Sequence, residues 1–131
     1  MSKILLRVAL LVLSCGSCAA VAHHARIGVY QMEVNKRVTI HGTVTEYKLR
    51  NPHGRIVVEV TSAEGKKENW VIDTPNYSNM ISFGWKADSL KAGDEVTIVG
   101  YPALNPKATG MYGHLLTFKD GRKLPFSDSD Y

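Results

Sequence analysis

The chain has 131 residues, with 16 Lys+Arg against 12 Asp+Glu and two cysteines, which fits one domain and excludes a multidomain assembly. The net charge is +4 over the full chain and +2 without residues 1–22, and +2 is too small to announce a nucleic-acid binder. No apolar run reaches the roughly 20 residues of a comfortable membrane span.

Lys3 and Arg7 flank and interrupt the apolar stretch Ile4 to Leu13, small residues follow, and Ala20-Val21-Ala22 offers an A-x-A processing site. Residues 1–22 therefore read as a secretory signal peptide, cut after Ala22 or after Ala20. Val12-Leu13-Ser14-Cys15 loosely resembles a lipoprotein box, with Leu13 fitting poorly at its second position. Cleavage would take away Lys3, Arg7, Cys15 and Cys18, leaving a net charge of +2 and no cysteine. The expected mature protein is periplasmic or secreted, has no nucleic-acid partner and no integral membrane segment. Without a disulfide or a thiolate it must be held by its hydrophobic core.

Residues 23–36 are weakly patterned and predict an arm laid on the domain. Regular structure is expected over 37–126, with 127–131 as a tail. In Arg37 to Lys48, Val38, Ile40 and Val44 share one face and Thr39, His41, Thr43 and Thr45 the other, a period of two that predicts a long strand. Gly42 inside it predicts a bend or a close approach to another strand. Asn51-Pro52-His53-Gly54 breaks the pattern. Arg55 to Thr61 resumes it, with Ile56, Val58 and Val60 opposing Val57 and Glu59.

A polar hairpin loop, residues 63–68, leads to a third strand from Trp70 to Asp73. Thr74 before Pro75 then reads as the N-cap of a short helix with an apolar stripe of Met80, Ile81 and Phe83, ended by Gly84. A turn on Gly93-Asp94 feeds a fourth strand with Val96 and Ile98 inward, ending at Gly100. The irregular stretch Pro102 to Met111 precedes a fifth strand, Tyr112 to Phe118, and Leu124 and Phe126 are placed to cover an open end of the core. The order β-β-β-α-β-β predicts an all-β fold with one short helix, a five-stranded OB-like Greek-key barrel, with a five-strand sandwich as the rival.

Several pieces resemble a family of small exported bacterial proteins of unknown function. They are Ala22-His23-His24, Gly42-Thr43-Val44, Asn51-Pro52-His53, Trp70, Gly84-Trp85 with Asp88-Ser89-Leu90, and Gly93-Asp94-Glu95-Val96-Thr97 running to Gly100. Gly54-Arg55 departs from the aromatic or apolar residue that members often carry after the His. The resemblance implies an exported small β-domain and supplies no enzymatic activity.

The histidines are the side chains that titrate near neutrality. His23 as first residue would offer an α-amino and an imidazole nitrogen, and cleavage after Ala20 would instead present an amine, two peptide nitrogens and the His23 imidazole. Either set suits the tetragonal nitrogen ligation of copper(II). His24 belongs to the same candidate metal group, His53 and His114 are candidate further ligands, and Met32, Met80 and Met111 are softer ones. The competing expectations are a polar tail for His23 and His24, a loop-fixing hydrogen bond for His53 and a solvated strand position for His41.

No G-x-S-x-G occurs, and Ser62, Ser78, Ser82 and Ser89 lack a spacing that pairs them with a His and an acid. Asp73 and Asp88 are carboxylates that turn or capping roles explain. No catalysis is expected. In an OB-like barrel the first loop, the outer face of the second and third strands and the fourth loop would gather Tyr47, Arg50, Asn51, His53, Arg55 and Tyr101 as a ligand-binding surface. The expected function is an exported binding or accessory module for an unknown small ligand or an envelope protein. The alternatives are a periplasmic copper-binding protein using the His pair and an envelope protein-docking domain.

Overall fold

The computed structural model describes Arg26 and residues 28–128. The expected signal peptide, His23 and His24 lie outside the described residues. Among the described residues the elements are a 3-10 turn at Val34–Lys36, β1 Val38–Lys48, β2 Arg55–Thr61, β3 Lys67–Asp73, α1 Tyr77–Ser82, β4 Glu95–Pro102, β5 Gly110–Phe118 and β6 Lys123–Pro125. No helix among them is long and apolar enough to cross a membrane.

The strands run in the order β3-β2-β1-β4-β5-β6, and a parallel pairing of β3 with β5 closes the first five into a barrel. The long β1 makes this possible. Its first half, Val38 to Thr43, pairs with β4, and its second half, Thr43 to Lys48, with β2. Gly42 stands at the changeover, where a Cβ would come within 2.3 Å of the Glu59 carbonyl oxygen. The glycine answers a close approach. A bulge at Thr45, whose neighbours Val44 and Glu46 oppose Val58 and Val57, adds the coiling.

The period-two residues fill the barrel. Ile40, Val44, Ile56, Val58, Ile72, Val96, Ile98, Met111 and Leu116 form one buried cluster, the hydrophobic term that holds the domain. Val57 is also buried although it faces the other way on β2.

The helix begins two residues later than the sequence predicts. Asn76, in extended backbone, is the N-cap, its side-chain oxygen accepting from the Asn79 amide at 2.9 Å. Thr74 is instead fully buried, its hydroxyl donating to the Pro75 carbonyl at 2.9 Å. Met80 alone of the expected stripe is fully buried, while Phe83 is half-buried against the core and Ile81 is exposed. Gly84 adopts φ +93 and donates to the Ile81 carbonyl, and the Trp85 amide reaches back to that of Met80 at 3.0 Å. This Schellman pattern turns the chain so that Trp85 enters the core.

Trp85 also closes one end of the barrel. Its ring packs against Phe126 at 4.9 Å and Tyr47 at 5.9 Å, and its indole nitrogen donates to the Pro125 carbonyl. Phe126 is buried over Gly113, where a Cβ would meet its ring at 2.7 Å. Leu124 lies on β6, a sixth strand that the sequence pattern does not announce.

Candidate functional site

The site lies on the outer face of the closing seam. Asp73, the last residue of β3, is in register with Tyr112 of β5, and Tyr112 is in register with Tyr101 of β4. Register partners project to the same face, so a carboxylate and two phenols stand in a row. His114 joins them through a bulge: Val99 pairs with Leu115 and Gly100 with Gly113, which leaves His114 as the extra residue. It is 6 % exposed and meets the Tyr101 ring edge-on at 6.0 Å.

The arm covers this row. Tyr30 bridges to Ala103, the Gln31 amide donates to the Pro102 carbonyl at 2.9 Å and the Leu104 amide to that of Val29 at 2.8 Å. The Tyr30 hydroxyl donates to the Asp73 carboxylate, and its ring stands 6.0 Å from that of Tyr112. Arg26 places its guanidinium 4.5 Å from the centre of the Tyr112 ring, a cation–π distance. Arg37, at the foot of the arm, donates to the Tyr101 hydroxyl at 2.7 Å and lies over the same ring.

Two clefts remain beneath the arm, with Arg26 and Tyr112 lining both. The larger, about 270 Å³, reaches Met32, Phe83, Tyr101 and His114. The smaller, about 180 Å³, is formed with Val29, Tyr30, His53 and Asp73. Burial pushes the Tyr30 phenol well above its ordinary value, and the Asp73 carboxylate adds to the rise. Burial also raises Tyr112, with Arg26 acting against the rise and Asp73 for it. A wider depression of about 380 Å³ lies outside β1 and β4. Its polar groups satisfy one another: His41 Nδ1 is 2.8 Å from Thr97 Oγ1, and Lys119 pairs with Glu95.

The first loop is clamped where it meets this seam. Gly54 is buried so tightly that a Cβ would lie 2.6 Å from both the Lys48 carbonyl and the Thr74 hydroxyl. His53 before it is exposed, with Nδ1 3.1 Å from the Thr74 carbonyl oxygen. A carbonyl only accepts, so Nδ1 is the nitrogen that donates.

Residues 10–113 match the family described as Family of unknown function (DUF6152). The chain belongs to this family. No curated protein and no solved structure matches it.

In this DUF6152 barrel the other residues that the sequence singles out go to separate places. Tyr47 lies at the Trp85 end, its hydroxyl donating to the Lys86 carbonyl at 2.8 Å. Asn51 accepts from the Tyr77 amide at 3.0 Å and so ties the first loop to α1. Arg55 stands by Glu46 at 4.0 Å, and Arg50 is exposed. Of the six ligand-binding candidates, His53 and Tyr101 reach the two clefts. Of the softer metal candidates, Met32 lines a cleft, whereas Met80 and Met111 are fully buried in the core. Among the described residues no three His, Cys, Asp or Glu side chains gather as a metal site.

Arg26, Tyr30, Asp73 and Tyr112 are the cleft residues that sequence reasoning missed. Arg26 and Tyr30 sit in an arm without periodicity. Asp73 carried the one readable signal, a carboxylate at the end of a buried strand.

Proposed function

We propose that this chain is an exported, non-catalytic binding module that takes its ligand in the paired clefts beneath the arm. The observation that carries this is that Arg26 and Tyr112 line both clefts, which sets the two spaces side by side. Aromatic rings, a carboxylate, a guanidinium and an imidazole converge there on a rigid sheet, as small-molecule sites require. Export rests on the leader-like residues 1–22, and the non-catalytic character on the missing nucleophile motifs. Binding should be tested by amide and side-chain NMR of the exported protein against a library of small polar and aromatic compounds. Shifts centred on Tyr30, His53, Tyr112 and His114 are expected; shifts centred on His41 and Thr97 would overturn the assignment.

Copper binding is the second reading, and one placement favours it. His24 precedes Arg26 by two residues, a covalent reach of about 7 Å, and the clefts that Arg26 lines hold His53, His114 and Met32. A free amine and the His23 imidazole would supply the chelate and the cleft a further ligand. Intact mass fixes the first residue, and copper(II) titration follows. Acetylating the α-amino group or His23→Ala should remove most of the affinity. His114→Ala or His53→Ala should weaken binding if the barrel completes the site. Acidification through about pH 6.5 should release the metal, since protons compete for the imidazoles. Affinity no tighter than that of a His-His peptide would end this reading.

A further inference from the structure

We infer that the smaller cleft is a receptor for an organic cation, a guanidinium or alkylammonium group, and that Arg26 is a tethered competitor for its Tyr112 ring. This rests on the binding-module reading and narrows its ligand. Apart from Arg26, the groups around the cleft attract positive charge. Tyr30 and Tyr112 bring two aromatic rings 6.0 Å apart and inclined at 48°, and ring faces are attractive to cations. Asp73 brings a carboxylate that receives the Tyr30 hydroxyl and has lone pairs to spare. His53 closes the cleft beside them, its Nδ1 donating to the Thr74 carbonyl. Val29 supplies an apolar wall. An anion would meet the Asp73 charge directly, and a neutral ligand would leave that charge with only the Tyr30 hydroxyl bound to it.

Arg26 lines this cleft, with its guanidinium over the Tyr112 ring that forms one of the walls. The Arg26 carbonyl accepts from the Val29 and Tyr30 amides at 3.0 and 2.8 Å, and the arm is held further along at the Tyr30–Ala103 bridge and the Gln31 and Leu104 hydrogen bonds, so the Arg26 side chain can swing without its backbone. The guanidinium can therefore leave while Tyr30 stays in place, and a free cation competes with a side chain held at high effective concentration. Wild-type protein then binds a one-headed cation weakly, because the Arg26 guanidinium already covers the Tyr112 ring. A cationic ligand with a body that extends into the neighbouring cleft would gain the contacts needed to displace it.

The test uses the full chain and three probes of similar size: ethylguanidinium, neutral ethylurea and propionate, with NMR shifts of Tyr30, His53 and Tyr112 as readout. Arg26→Ala should bind ethylguanidinium about 10-fold or more tighter than the wild type does, and ethylguanidinium should raise the melting temperature of the variant more than that of the wild type. Asp73→Asn added to Arg26→Ala should abolish binding. The ethylurea and propionate arms need no second substitution and decide the matter even if the double variant does not fold. Binding of ethylurea or propionate as tight as that of ethylguanidinium would overturn the cation assignment and leave the cleft as a binding site. No response at the three residues to any probe would overturn the cation assignment and the cleft reading together.

Discussion

The barrel has two kinds of wall. Along β1, β2 and the first part of β4, apolar residues alternate with threonines, charges and His41, and the apolar set points inward. Along β5 the run Met111-Tyr112-Gly113-His114 is buried throughout, because the arm and β6 cover the outside of the seam. One-sided burial writes a period of two into the sequence, and two-sided burial erases it. The candidate site lies in the second kind of wall. A side chain there needs a covering layer to form a cleft, and that layer comes from residues distant in the chain.

The deepest cut lies at the barrel end where the two walls meet, Trp85→Ala. Trp85 is 1 % exposed and joins the helix end, β6 and Phe126, so truncation leaves a large cavity and an unanswered Pro125 carbonyl. A loss of about 3–5 kcal/mol is expected, read as a fall in the urea midpoint or the melting temperature. A loss below about 1 kcal/mol would mean that this end of the barrel is not closed as described.

Gly42→Val probes the first wall. The added Cβ would press on the Glu59 carbonyl and on Val58 Cγ1 at 2.7 Å, neither of which can swing away. Destabilisation of about 1–3 kcal/mol is expected from the forced strand shift, with the arm contacts untouched. Thermal melting alongside the NMR signals of Tyr30 and Tyr112 separates the effects: stability should drop while the arm resonances of the folded protein keep their positions.

The sequence shows the first wall almost completely. Val38, Ile40, Val44, Ile56, Val58, Val96 and Ile98 keep the period of two, with Val57 the buried exception on the other face, and Gly42 marks the close approach. The helix start was misread because Thr74-Pro75 satisfies the usual signature, while burial of both residues moves the cap to Asn76. His114 had no readable face, since a bulge makes it the extra residue of β5. Among its described residues the N-terminal arm makes one isolated bridge and a few backbone hydrogen bonds, and such contacts leave no periodic trace. His53 and Tyr101 were found by loop and barrel logic. Arg26, Tyr30 and Asp73 come together through a contact between residue 30 and residue 73 that no local pattern encodes.

Tyr30→Phe tests how firmly the arm seals the second wall. It removes one hydroxyl and leaves Asp73 half-buried without that donor, so a loss of about 0.5–1.5 kcal/mol is expected. Hydrogen exchange at the Gln31 and Leu104 amides should speed up, while the amides of β1 remain protected. Equal protection of all of them in the variant would show that the arm is held by its backbone pairing alone.

The smallest effect is a difference between two alkaline slopes. Burial holds the Tyr30 phenol above its ordinary value of 10.0, with the Asp73 hydrogen bond and charge adding to the rise. The folded state therefore keeps its proton at pH values where the unfolded chain has begun to lose it. That contribution is fully present below pH 10 and is lost as pH climbs from there through the folded value. Tyr47, raised by burial at the Trp85 end, behaves in the same way. Unfolding free energies of the wild type, Tyr30→Phe and Tyr47→Phe should thus fall more gently above pH 10 in each variant than in the wild type. Lysine titration is common to all three and cancels in the comparison. The two variants differ in where the relief is felt. Tyr30→Phe should flatten the alkaline loss of arm protection at Gln31 and Leu104, and Tyr47→Phe should leave that local loss unchanged. Identical exchange behaviour in both would mean that the Tyr30 phenol does not hold the arm to Asp73, and the smaller cleft would lose its roof.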